Sequence, residues 1–151
     1  EATGRRFSLL TFGNAGVKDH LLNFCANTRL AGAPHVVGAV DQTVYRLLSA
    51  ERGSPVYETP LAREAYVMDG SNSHSSRSWK RFAAMRTGEV AKMVGLGWDV
   101  LHIDTDVVVL RDPSPFLLCP PEAEAGEFSE SSPFPCAPFR AVDVAASSDN
   151  M

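Results

Sequence analysis

An α/β fold, a mostly parallel sheet flanked by helices, is what this sequence predicts. From Arg5 to Glu58, short apolar runs alternate with helical segments in the order β-α-β-α-β. The intervening segments are long enough for crossover helices and too long for hairpin turns. Gly and Pro close each helical segment, as expected where a crossover turns back into a strand. Ligands of such sheets bind beyond the carboxyl ends of the strands. Thr11 to Asn14, Asp41, and the pair Asp104/Asp106 all fall at strand ends by this reading, so they are expected to meet at one edge.

The first strand is Arg5 to Phe12 (RRFSLLTF), stopped by Gly13. Asn14 is a good N-cap for the helix that follows. In that helix Val17, Leu21, Phe24, Cys25 and Thr28 recur at spacings of three and four, which makes one buried stripe. Gly32 and Pro34 end it. His35 to Asp41 (HVVGAVD) is the second strand, Gln42 to Glu51 the second helix, and Val56 to Glu58 a third short strand. Residues 69 to 78 (DGSNSHSSRS) are small and polar, and read either as a plain surface loop or as a flap over a ligand.

Ser78 is placed to cap a long helix, Trp79 to Leu96, whose apolar stripe runs Trp79, Phe82, Val90, Met93 and Val94. Position 86 belongs to that stripe by spacing but holds arginine. Such a residue needs a partner: Glu89 one turn on, water reached by snorkelling, or an anion at the sheet edge. Gly88 in the same helix costs about 1 kcal/mol relative to alanine and has no evident reason. Residues 120 to 139 (PPEAEAGEFSESSPFPCAPF) lack a periodic face and read as an acidic, Pro-rich insertion of low order. Val142 to Ser148 alternates weakly, as a further strand would. The expected organisation is thus an α/β region over 1–113, the insertion over 114–140, and the start of a strand over 141–151.

Composition narrows the function classes. The 151 residues suit one domain with a real core. Fourteen Lys and Arg against eighteen Asp and Glu give a net charge of −4 with no basic run, so nucleic-acid binding has little support. No stretch approaches ~18 uninterrupted apolar residues, so no membrane contact is expected from this segment. The opening at Glu1, with no signal-peptide pattern, suits a fragment. Cys119 and Cys136 flank the Pro-rich segment and could pair in an oxidising compartment, leaving Cys25 as a helix-core thiol.

Chemistry concentrates in Trp98 to Pro113. Read as one buried strand, it carries Asp104 and Asp106 on the same face, since residues i and i+2 project together. Carboxylates are almost never fully buried unless paired or bound to metal, and two hard oxygen ligands suit Mg²⁺ or Mn²⁺. His102 shares their face, as a core or a site residue; Thr105 points the other way, as a structural residue.

Two families place D-x-D at a strand end. Asp104-Thr105-Asp106-Val107-Val108 fits locally the motif of haloacid-dehalogenase-type phosphatases, whose first carboxylate attacks a phosphoryl group beside Mg²⁺. That motif lies on the first strand of its domain, and here it comes late. The longer run RTGEVAKMVGLGWDV at 86–100, continued by HIDTDVVVLRDP at 102–113, resembles the nucleotide-diphospho-sugar transferase family of plants and green algae. These are metal-dependent glycosyltransferases of the GT-A fold, among them arabinosyl- and xylosyltransferases. DVAASSD at 143–149 is similar to the family's next strand, and looser likeness reaches back to Leu10-Thr11-Phe12 and Val40-Asp41.

The resemblance implies a Rossmann-like nucleotide-sugar-binding half. In it Asp104 and Asp106 would hold Mn²⁺ or Mg²⁺ on the donor diphosphate, with Arg86 at the family's basic position. Thr11, Asn14 and Asp41 would lie near the nucleoside, although N-cap and turn roles explain them equally well. It also implies a UDP-linked donor, a glycan or glycoprotein acceptor, and a Golgi-lumenal, type II membrane setting whose anchor is absent from this sequence. The insertion at 114–140 is longer and more acidic than the family leads one to expect. The family's acceptor-binding half follows the point where these residues stop, so the chain is expected to be the donor-binding part, whether or not it can catalyse transfer alone. The readings that compete are the phosphatase and a non-catalytic remnant or binding module.

Overall fold

In the computed structural model of the protein, residues 6–63 and 77–118 are described. They fall into two compact units, divided between Asp112 and Pro113. The first holds a four-stranded, all-parallel sheet in the order β3-β2-β1-β4, formed by β1 (Arg6–Gly13), β2 (His35–Ala39), β3 (Val56–Glu58) and β4 (Trp98–His102). The α/β class is therefore as the sequence predicts. Chain order moves outward from β1 through β2 to β3, then returns to place β4 on the other side of β1. That reversal is a topological switch point, and a crevice opens there beyond the carboxyl ends of β1 and β4.

β1 is buried along its whole length except at Arg6, which is why it reads as a near-continuous apolar run. One face of the sheet meets α1 (Lys18–Leu30), entered through a 3₁₀ turn at Ala15–Val17 that Asn14 caps by accepting from the Gly16 N–H at 3.1 Å. Leu21, Phe24, Cys25 and Thr28 are buried as the stripe predicts, and the Phe24 ring edge meets the His35 ring at 5.8 Å. The other face carries Leu10, Phe12, Val40, Leu61 and Phe82, with Trp79, Met85, Val90 and Met93 packed against them. Phe12 lies directly over Gly38, its register partner on β2, where a Cβ would collide with the ring.

α2 (Gln42–Ala50) is held at its N-terminus by Asp41. One carboxylate oxygen accepts from the Val44 N–H at 2.8 Å, the other from the Ala15 N–H at 2.7 Å. A single side chain thus caps a helix and ties the turn after β2 to the turn after β1. A four-residue helix, α3 (Pro60–Arg63), was not expected. Its signal was legible: Thr59 precedes proline at the first helical position, and the Thr59 hydroxyl accepts from the Ala62 N–H while donating to the Ala39 carbonyl.

Three expectations need correction. β4 stops at His102, and the chain then turns, the Val107 N–H bonding back to the Asp104 carbonyl at 3.3 Å. Val107, Val108 and Leu110 are accordingly exposed rather than buried. α4 is described from Arg77 to Gly95, so Ser78 lies inside the helix, buried, rather than capping it. Val94 turns to solvent, and the charge on the buried face of α4 is Glu89. In the second unit the described residues form one short helix, α5 (Ser114–Leu117). Of the loop expected at 69–78, residues 69–76 lie outside the described residues, as do the part of the expected insertion from 119 onward, with Cys119 and Cys136, and the expected strand at 142–148. Cys25 is a buried free thiol. Among the described residues no helix is long and apolar enough to cross a membrane.

Two glycines should respond to alanine with opposite signs in urea denaturation. A Cβ at Gly88 meets no neighbouring atom, so Gly88→Ala should stabilise by roughly 0.5–1 kcal/mol. At Gly38 it meets Phe12, and Gly38→Ala should destabilise by about 1–3 kcal/mol. Asp41→Ala removes the acceptor of two backbone N–H groups and should cost about 1–3 kcal/mol by the same measurement.

Candidate functional site

A cleft of about 480 Å³ occupies the switch-point crevice of the first unit. Its floor is Phe12 and Gly13 at the end of β1, with Val40 just past β2. One wall is α4, which presents Trp79, Phe82 and Arg86 at spacings of three and four on a single face. Asn14, Val17 and His20 line it from the turn after β1 and the start of α1. Asp104, Thr105 and Asp106 complete it from the turn after β4.

Arg86 is the hinge between the wall and the acidic turn. Its guanidinium lies 3.3 Å from an Asp104 carboxylate oxygen and 5.4 Å from the centre of the Phe82 ring. The pairing with Glu89 allowed by spacing does not form, because Glu89 is buried against Lys92 at 2.6 Å. Arg86 is thereby left to the cleft. The Asp104 side chain is 71% exposed, so its ion pair with Arg86 contributes about 0–1 kcal/mol and can open without threatening the fold.

The burial argument for the acid pair does not hold. Asp104 and Asp106 are exposed and sit in a turn, not on a strand face. What they offer a cation is different: two acceptor-only carboxylates in one turn, both opening into the same cleft. Among the described residues no group of three or more His, Cys, Asp or Glu side chains is placed to hold a metal. Mg²⁺ and Mn²⁺ tolerate that, since one or two carboxylates plus water and substrate phosphate complete their shell. The donor set fits such an ion; it does not fit zinc, which takes three or four protein ligands.

The remaining candidates separate cleanly. Asn14 lines the cleft while capping the turn behind β1. Thr11 does not reach it. β1 continues past Thr11 to Gly13, leaving this side chain fully buried with its hydroxyl unpartnered. Asp41 is not part of the lining either, since both its oxygens are engaged by backbone N–H groups. Thr105, expected to point away, lines the cleft. His102 lies beneath it, its ring 5.6 Å from that of Phe12. Burial holds its imidazole below the usual histidine range, Arg86 acts in the same direction and Asp104 opposes them. Trp79, Phe82 and His20 were not singled out as cleft residues. For the two aromatics the signal was present, because they share the stripe that carries Arg86, but a core stripe and a cleft wall have the same period.

Comparison with known proteins supplies the lineage. A family model described as nucleotide-diphospho-sugar transferase matches residues 33–151. Beta-arabinofuranosyltransferase RAY1 of Arabidopsis thaliana is 28% identical over 117 residues, covering 77% of this chain. The chain in turn spans 21% of that relative's length. No solved structure matches. With the sheet, the switch-point cleft and a family match over most of its length, this chain belongs to the nucleotide-diphospho-sugar transferase family.

Proposed function

We propose that the cleft binds the diphosphate of a nucleotide-sugar together with Mn²⁺ or Mg²⁺, and that the chain is the donor-binding part of a metal-dependent glycosyltransferase. The observation that carries this reading is the meeting of Arg86, Asp104 and Asp106 in one cleft at the switch point. Family membership supplies the nucleotide-sugar. The relative's name favours an arabinofuranosyl donor over a xylosyl one, and family membership goes with a glycan or glycoprotein acceptor. Localisation in the Golgi lumen goes with the same reading.

Asp104 and Asp106 would be the protein ligands of the cation. When bound, such an ion neutralises charge developing on the leaving nucleotide diphosphate, as a Lewis acid. Arg86 serves the same end from the wall. Free of Asp104, its planar guanidinium presents paired N–H donors suited to phosphate oxygens. In the resting protein the Asp104 carboxylate holds that guanidinium at the mouth of the site. Asn14 shapes the turn behind β1 and lines the cleft from there. The phosphatase reading needs Asp104 as nucleophile on the first strand of the domain, whereas β4 is the fourth in chain order.

Calorimetric titration with UDP tests the proposal. Binding should require Mn²⁺ or Mg²⁺ and weaken at least tenfold in Asp106→Asn. Arg86→Met should weaken UDP binding by about 10- to 100-fold, the loss expected for hydrogen bonds to a charged group, with the metal requirement retained. UDP binding indifferent to metal and to both substitutions would sink the reading; absence of any UDP binding would favour a non-catalytic module.

A further inference from the structure

We propose that Phe82 is a positioning residue for Arg86, keeping its guanidinium at the cleft wall when a cation takes Asp104 from it. The proposal rests on the reading of this cleft as a diphosphate site. An arginine side chain has several rotatable bonds, and a phosphate gains most from one whose fork is already set. Side chains on a helix lean towards its N-terminus, so Arg86 reaches back over the residue four places earlier on α4. That residue is Phe82. The guanidinium carbon lies over its ring, 5.4 Å from the centre, within the range of a cation–π contact.

Among the described residues two contacts fix the guanidinium, and they differ in kind. Asp104, at 3.3 Å, is largely solvated and belongs to the turn that would receive the cation. Phe82 is 7% exposed and packs with Leu10, Phe12, Val40 and Leu61 in the core beneath α4. Its ring is therefore fixed whatever the acidic turn does. The Arg86 side chain is itself only 28% exposed, so its attraction to the ring meets little competition from water. When a divalent cation claims Asp104, the ion pair is lost and the ring contact is kept. The N–H groups that faced Asp104 are then free for phosphate oxygens, and the guanidinium does not swing out into solvent. Core packing asks only for an apolar residue at position 82; the negative face of the ring is what meets the charge.

Because the ring belongs to the core, truncating it would also disturb packing, and fluorination is the cleaner probe. Fluorine draws electrons from the ring face, weakening its attraction for a cation while nearly keeping its shape. With Phe82 replaced by mono-, di- and pentafluorinated phenylalanine in the full chain, UDP affinity in the presence of Mn²⁺ should fall in steps, to about one-fifth. Mn²⁺ affinity without nucleotide should not fall. A flat UDP series would overturn the positioning role; if Arg86→Met still weakens UDP binding, the diphosphate site stands. Parallel losses of UDP and Mn²⁺ binding would mark a packing role and also overturn it. Failure of UDP to bind the unmodified chain with Mn²⁺ would overturn the diphosphate site, and the role of Phe82 with it.

Discussion

Burial of β1 on both faces is the constraint from which the rest of this unit follows. A strand that is apolar on both sides needs cover on each, and receives α1 on one and α4 on the other. With β2 and β4 as its two neighbours, β1 sits where the chain direction reverses. The crossover helices cannot close the carboxyl end at such a point, so a crevice must form there. The cleft is thus a product of topology, and the side chains around it are those that the strand ends and α4 happen to deliver.

Charge in this unit is divided between structural and available groups. Asp41 is spent on two backbone N–H groups, and Glu89 on Lys92 within the packed face of α4. Arg86, Asp104 and Asp106 are not so committed. Their one ion pair is largely solvated and weak, which suits groups that exchange one another for a ligand. A cation on the acidic turn would compete with Arg86 for Asp104, releasing the guanidinium towards an anion. The same residues would then serve both the resting protein and a loaded site.

Much of this was legible in the sequence where period and punctuation agree. β3 has the bounds that its flanking residues suggest, and α1 buries the stripe at three- and four-residue spacing. What escaped did so for identifiable reasons. Val107 to Leu110 reads as a buried strand because apolarity is taken as burial, yet the ladder with β1 ends at His102 and the following residues are exposed. The acid pair was found by supposing it buried; it is solvated, and its position beside Arg86 in the cleft matters instead. Thr11, read as lying at a strand end, is instead fully buried within β1, which runs on to Gly13. Nothing in spacing tells a helix face that fills a core from one that walls a cleft, which is how Trp79 was passed over.

The central claim is that the acidic turn and Arg86 form one site shared by a cation and a diphosphate. Its most direct test is the concentration of free Mn²⁺, followed by electron paramagnetic resonance, as the protein is titrated with and without UDP. Linkage requires that each ligand tighten the other by the same factor. Weak Mn²⁺ binding that strengthens tenfold or more with UDP, and is lost in a variant with both acids changed to asparagine, is the result predicted. Mn²⁺ binding of equal strength with and without UDP would contradict a shared site.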